Sequence, residues 1–182
     1  MAEFNNIDYL QTGSIRQQQL YKTLEKSGLL DILRAYDPIV VGSIPLGLDL
    51  PDSDVDIICS YADKLKFQNY LKAVFGEKVG FVTSQSAIYA NETITANFRE
   101  NNFEFEIFGQ QIPTRNQMGY KHLLIEDHLI MTHGQTFKNQ ICELKEDGYR
   151  TEEAFCKLLG INGNPYIALI EQYEQVLRQH DI

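Results

Sequence analysis

The spacing of apolar positions along the chain changes several times, and each change marks an element. In residues 14–26, Ile15, Leu20 and Leu24 recur near one face of a helix, with Gly28 placed as its stop. Residues 29–35 read as a short second helix, ended by Asp37-Pro38. The run Ile39-Val40-Val41 predicts a strand reaching Gly42, and the Gly- and Pro-rich residues 43–53 predict a turn-rich crossing. Residues 55–61 are apolar almost without a break, the pattern of a strand with neighbours on both sides. Helical spacing returns over 63–75 through Leu65, Leu71 and Val74-Phe75, and Gly76 closes it.

Three strand-like segments follow at 79–89, 92–99 and 103–108. In the last, Phe103, Phe105 and Ile107 alternate with Glu104, Glu106 and Phe108 before Gly109 breaks the pattern. From Pro113 onward the character is helical, with segments at 116–131, 137–146, 152–159 and 165–179 punctuated by Gly134, Gly148 and Gly160. The chain therefore reads as an α+β protein. A lobe over residues 1–110 carries a mixed β-sheet flanked by helices, and a helical lobe spans 111–182.

Composition narrows the partners. With 25 acidic against 16 basic residues the formal charge is −9, and no run of like charge occurs. Affinity for a phosphate backbone rests on clustered Lys and Arg, so nucleic acid is an unlikely partner on this count, and a small anionic ligand bridged by metal fits better. Cys59, Cys142 and Cys156 show no metal-ligand spacing and read as reduced thiols. Residues 1–10 carry no secretory apolar core and no long apolar run predicts a membrane span, so a cytoplasmic protein without membrane contact is expected. The pattern gives no sign of the oligomeric state.

The chemistry concentrates in residues 40–58. Asp54 and Asp56 open the second strand and project to the same side, roughly 6–7 Å apart. At an effective dielectric near 20 two such charges repel by about 2–3 kcal/mol. A cation between them turns that repulsion into binding energy. Asp52 lies in the turn and reads as a solvated turn residue, which is also the ordinary reading of a lone Asp pair. Glu104 and Glu106 share a face of the later strand, so either one is available as a third acid.

Gly42-Ser43, then Asp54-x-Asp56, then an acidic strand resembles the signature of the DNA polymerase β-like nucleotidyltransferase superfamily. Residues 106–110, 120–126 and 151–166 look like pieces of an uncharacterised bacterial family within it. The resemblance implies Mg²⁺ or Mn²⁺ held by Asp54, Asp56 and Glu106, with the third carboxylate also serving as base. It favours Glu106 over Glu104, and it places Gly42 and Ser43 against the phosphates of an NTP. The implied reaction moves a nucleotidyl group to a hydroxyl of a small molecule or protein whose identity the resemblance does not give. The alternatives are a non-catalytic nucleotide-binding or interaction module and a metal-dependent nucleotide hydrolase. No basic residue follows Gly42-Ser43, so phosphate charge falls to the metal and to residues from elsewhere, such as Arg99, Arg115 or Lys121.

His122 and Glu126 are four apart on the 116–131 helix and share a face. They read either as a surface pair or as cleft residues contacting base, ribose or acceptor. Tyr120 reads as core or as a stacking platform for a base, while His128 and His133 read as solvated.

Overall fold

The computed structural model describes residues 4–88, 91–180 and 182. Five strands form one mixed sheet: β1 (Ile39–Val41), β2 (Val55–Ser60), β3 (Val79–Ile88), β4 (Asn91–Glu100) and β5 (Phe103–Gln110). Their spatial order is β1-β2-β5-β4-β3. β2 runs antiparallel to β1 and parallel to β5, and β5, β4 and β3 form an antiparallel meander. The apolar run of β2 is thus flanked on both sides, as its composition requires.

Alternation sorts the residues of each strand. Val55, Ile57 and Cys59 join Phe103, Phe105 and Ile107 in one buried cluster, against α1 (Ile15–Ser27), α2 (Leu29–Ile32) and α4 (Lys64–Phe75). Ile58 of β2, with Ile39 and Val41 of β1, enters a second cluster on the other face. There they meet α5 (Met118–Glu146), α6 (Thr151–Leu159), α7 (Pro165–Gln172) and α8 (Glu174–Arg178). The acids of β2 and β5 occupy the alternate positions and share that second face.

The helices follow their sequence signals closely. Ser14 caps α1 by accepting from the Gln17 amide while the Gln17 side chain accepts from the Ser14 amide, and Gly28 ends the helix in the left-handed region. Asp63 caps α4 by accepting from the Lys66 amide. Three expected core positions differ, because Ile15 and Leu65 are exposed at the first turns of their helices and Val74 at the last turn of α4.

Three local expectations are corrected. Residues 43–46 form a short helix, α3 (Ser43–Leu46), rather than an irregular crossing. Pro45 sits in its first turn, where a missing amide proton costs nothing. Gly109 does not end β5 but continues it to Gln110, pairing with Cys59 and Ile94. A Cβ there would lie 2.2 Å from the Phe67 ring, so glycine serves the seating of α4 on the sheet. The 116–131 and 137–146 segments run together as α5, bent at Gly134, whose φ of 77° interrupts the helical path. Tyr89, expected to end the third strand, lies outside the described residues.

Candidate functional site

One row of paired residues crosses the sheet: Val41 opposite Asp56, Asp56 opposite Glu106, Glu106 opposite Asn97, and Asn97 opposite Val82. Residues in such a row project to one face, on strands about 4.8 Å apart. The parallel register of β2 and β5 therefore sets Asp56 and Glu106 side by side, and Asp54 stands at the entry to β2. Asn97 donates from Nδ2 to Glu106 Oε2 at 3.3 Å.

These acids line a cavity of about 540 Å³ between the sheet and α5–α7. Its sheet side includes Gly42, Ser43, Ser53, Asp54, Asp56 and Glu106, and its helical side includes His122, Glu126, Lys145, Arg150, Glu152 and Tyr166. Gly42 has φ 81° and ψ −158°, a conformation essentially confined to glycine. A Cβ on it would stand 2.1 Å from Asp56 Oδ2, so the carboxylate occupies the room that the missing side chain leaves. The turn before Asp54 is fastened from several sides. Ser53 Oγ accepts from the Leu50 amide at 2.9 Å, and Arg16 donates to the Ser53 carbonyl at 2.7 Å and pairs with Asp49.

The electrostatics are those of acids short of positive charge. Burial pushes the Asp56 carboxyl up to about 8, helped by the charges of Asp54, Glu106 and Glu152 and opposed by Lys145. Burial also raises Glu106, with the Asn97 hydrogen bond opposing and Asp54 adding to the rise. Hard oxygen donors whose charged form is disfavoured for want of a counter-charge suit a cation such as Mg²⁺ in chemical type. Among the described residues, however, no three His, Cys, Asp or Glu side chains converge closely enough to form a ready-made metal site.

The helical wall carries its own network. His122 Nε2 donates to the Tyr166 carbonyl at 2.8 Å, and Nδ1 faces Glu152 Oε1 at 3.1 Å. Since a carbonyl only accepts, Nε2 carries a proton, and one further proton is shared between Nδ1 and Glu152. Burial raises the Glu152 carboxyl, but the His122 hydrogen bond and charge, its own amide and Lys145 bring it below its ordinary value. Lys145 is 8% exposed, donates to Thr151 Oγ1 at 2.9 Å, and is lowered by burial against the raising charges of Glu126 and Glu152. Burial also drives the Glu126 carboxyl well up, with Glu152 adding to the rise and Lys145 opposing it.

Of the residues singled out in the sequence, Gly42, Ser43, Asp54, Asp56, Glu106, His122 and Glu126 line this one cavity. Glu104 does not, being exposed and paired with Arg99 at 3.2 Å. Neither do Arg99, Arg115 and Lys121, the cations expected to meet phosphate; Arg115 instead pairs with Asp37 and with Asn5. Tyr120 is buried in the second core cluster. Sequence reasoning missed Lys145, Arg150 and Glu152. A signal for Lys145 existed, since it follows Phe137 and Ile141 at intervals of four along the buried stripe of α5.

Solved structures share this fold. The GLD-2/RNP-8 complex matches at a TM-score of 0.54 and 13% identity over 92% of this chain and 69% of that one. The polymerase core of TRAMP, an RNA surveillance complex, matches at 0.52 and 12% over 87% of this chain and 49% of that one. A cytoplasmic RNA terminal U-transferase aligns at 0.49 and 19% identity over 72% of this chain, which spans only 39% of its length. No curated protein matches the chain. The fold is thus that of nucleotidyltransferases, and the expectation that nucleic acid is an unlikely partner does not stand. A polymerase core of an RNA surveillance complex is built on the same fold. A net charge averages over the whole surface and does not describe a cleft that holds Lys145 and Arg150. Among the described residues no helix is long and apolar enough to cross a membrane. The DUF4269 family, described as a domain of unknown function, matches residues 22–172, and the chain belongs to it.

Proposed function

We propose that the protein is a nucleotidyltransferase that uses Mg²⁺ or Mn²⁺ to move a nucleotidyl group from an NTP to a hydroxyl-bearing acceptor. The observation that supports this best is the row Val41–Asp56–Glu106 beside Gly42, which gathers the signature residues on one cavity wall. Asp54, Asp56 and Glu106 would hold the metal, which when bound supplies charge neutralisation at the phosphates and lowers the pKa of the attacking hydroxyl. Gly42 and Ser43 would meet the phosphates, and Lys145 and Arg150 are the cations lining the same cavity. A bond forms between the acceptor oxygen and the α-phosphorus, the bond to pyrophosphate breaks, and Glu106 takes the hydroxyl proton.

On this reading residues 1–110 supply the chemistry, and residues 111–182 the opposite wall with His122 and Glu126. The bacterial setting implied by the sequence resemblance and the cytoplasmic one expected from the apolar pattern belong to the same proposal, and three free cysteines suit it. A thermal-shift series with the four NTPs, with and without Mg²⁺, tests the reading on wild type and Asp56→Asn. Ligand at a hundredfold its Kd stabilises by about 2.7 kcal/mol, roughly 5–10 °C for a chain of this size. A Mg²⁺-dependent shift in wild type that the variant loses is expected. Equal shifts in both overturn the site assignment. Binding without turnover in a product assay identifies a binding module, and free NMP with no labelled acceptor identifies a hydrolase.

A further inference from the structure

The two edges of the sheet are unlike. β1 is three residues long and buried throughout, with Ile39 and Val41 packed into the cluster of α5–α8. β3, at the other end of the strand order, is ten residues long and mostly exposed. An edge strand presents N–H and C=O groups that can template a further strand, and folded chains blunt such edges with charge, proline or bulges. β3 contains no charged residue and no proline. Its bulge lies between Val79 and Val82, where Gly80 is left-handed at φ 71°. Beyond the bulge, Val82–Ile88 pairs with β4 in unbroken register. Exposed apolar side chains stand at both ends of that stretch, Val82 at 62% and Ile88 at 37%.

The stretch is complementary to itself. Two copies of one strand that meet antiparallel about a two-fold axis set each residue against its reflection through the centre, and residues directly opposite share a face. The centre of Val82–Ile88 is Gln85. Pairing there sets Val82 opposite Ile88, Thr83 opposite Ala87 and Ser84 opposite Ser86 of the second copy. The exposed apolar side chains cover each other at both ends, with hydroxyls facing hydroxyls between them. No like charges meet, although the chain as a whole carries −9. Moving the axis to Ser84 sets Val82 against Ser86, and moving it to Ser86 sets Ile88 against Ser84. Gln85 itself is held to α4, where it donates to Gln68 Oε1 at 2.8 Å.

We propose that the protein forms a closed two-fold dimer in which the β3 strands of two copies pair antiparallel about Gln85, joining their sheets into one. With β1 covered, this pairing uses up the open edge and growth stops at two copies. Ile88 also lines the cavity of the candidate site, so the pairing sets Val82 of the second copy at its rim. The inference does not depend on the nucleotidyltransferase reading.

A paired stretch of this length is shorter than the roughly 20–30 residues a side of a standard interface, so the dimer is weak and the test is sedimentation velocity of the full chain over about 1–200 µM. A rise from monomer to dimer mass is expected. The double variant Ser84→Glu/Ser86→Glu sets like charges opposite each other and is expected to weaken association about five- to thirtyfold, as is Ser84→Lys/Ser86→Lys. An equimolar mixture of the two variants pairs opposite charges and is expected to regain the dimer. Both serines are exposed, so circular dichroism is expected to match wild type. A wild type that stays monomeric overturns the inference, and the edge then falls to an extended segment of another protein. A dimer that neither double variant weakens, a mixture no tighter than its components, or assemblies larger than two also overturn it. Should a double variant not fold, hydrogen exchange of wild type decides: amides of residues 82–88 that slow as concentration rises support the pairing, and amides indifferent to concentration refute it.

Discussion

Replacing Gly42 with alanine probes the contact on which the geometry of the acidic row depends. The backbone at Gly42, φ 81° and ψ −158°, lies in a region that other residues enter at a cost of about 1–3 kcal/mol. The added methyl would also begin 2.1 Å from Asp56 Oδ2 and 3.1 Å from its Cγ, so the carboxylate must leave its place. For a chain of this size each kcal/mol moves the melting temperature by about 2–4 °C, which puts the strain alone at about 2–12 °C. Strain and collision are separated by a double-mutant cycle with Asp56→Ala, measured by urea unfolding. Removing the carboxylate relieves the collision and leaves the backbone strain, so the double variant is expected to lose less than the sum of the singles, by about 0.5 kcal/mol or more. Gly160→Ala is the comparison. Its φ of 68° is also left-handed but no atom lies within 4 Å of the new methyl, and its effect adds to that of Asp56→Ala. Strict additivity for the Gly42–Asp56 pair refutes the claim that glycine is required there by the carboxylate.

Gly109→Ala forces a methyl to within 2.2 Å of the fully buried Phe67 ring and is expected to destabilise by about 1–3 kcal/mol, read as a lower urea midpoint; an unchanged midpoint contradicts the packing role. Gln17→Ala removes donations to the Ile44 and Pro45 carbonyls and the acceptor for the Ser14 amide, at an expected loss of about 1–3 kcal/mol by thermal melting. The Glu126 carboxyl is raised in the folded state above its ordinary 4.5, so the folded chain holds this proton where the unfolded chain has released it. Its contribution therefore falls as pH rises above about 4.5, and Glu126→Gln is expected to flatten the decline of stability between pH 5 and 8. Parallel wild-type and variant curves rule that out.

Much of the acidic wall could be read from local pattern, because Asp54, Asp56 and Glu106 occupy the polar phase of strands whose apolar phase is nearly unbroken. Strand alternation put Glu104 and Glu106 on the same face, and the pairing of β5 with its neighbours distinguishes them: β2 sets Asp56 beside Glu106, while β4 gives Glu104 to Arg99 and Glu106 to Asn97. The helical wall was less legible. Lys145, Arg150 and Glu152 come together where α5 ends and α6 begins, and a residue that looks like an ordinary helix start in one dimension becomes a cleft residue when the next helix folds back. Residues 43–46 looked like a turn because they hold Pro45 and lie between Gly42 and Gly47. They form a helix because Gln17 and Lys138, distant in sequence, hold the Ile44, Pro45 and Leu46 carbonyls.

The parallel pairing of β2 with β5 has a kinetic side. Asp56 and Glu106 are partners across that pairing although fifty positions separate them, and the segment between them contains α4 and the β3–β4 hairpin. The β1–β2 hairpin and the β3–β4–β5 meander are each assembled from nearby chain, while the step that joins them closes the longest loop in the sheet and is expected to come late. A nascent or truncated chain that lacks β5 has both aspartates and no acidic row. On the proposed reading, nucleotide binding in this cleft is a readout of completed folding, and a refolding experiment followed by that binding would report the moment at which the two halves of the sheet meet.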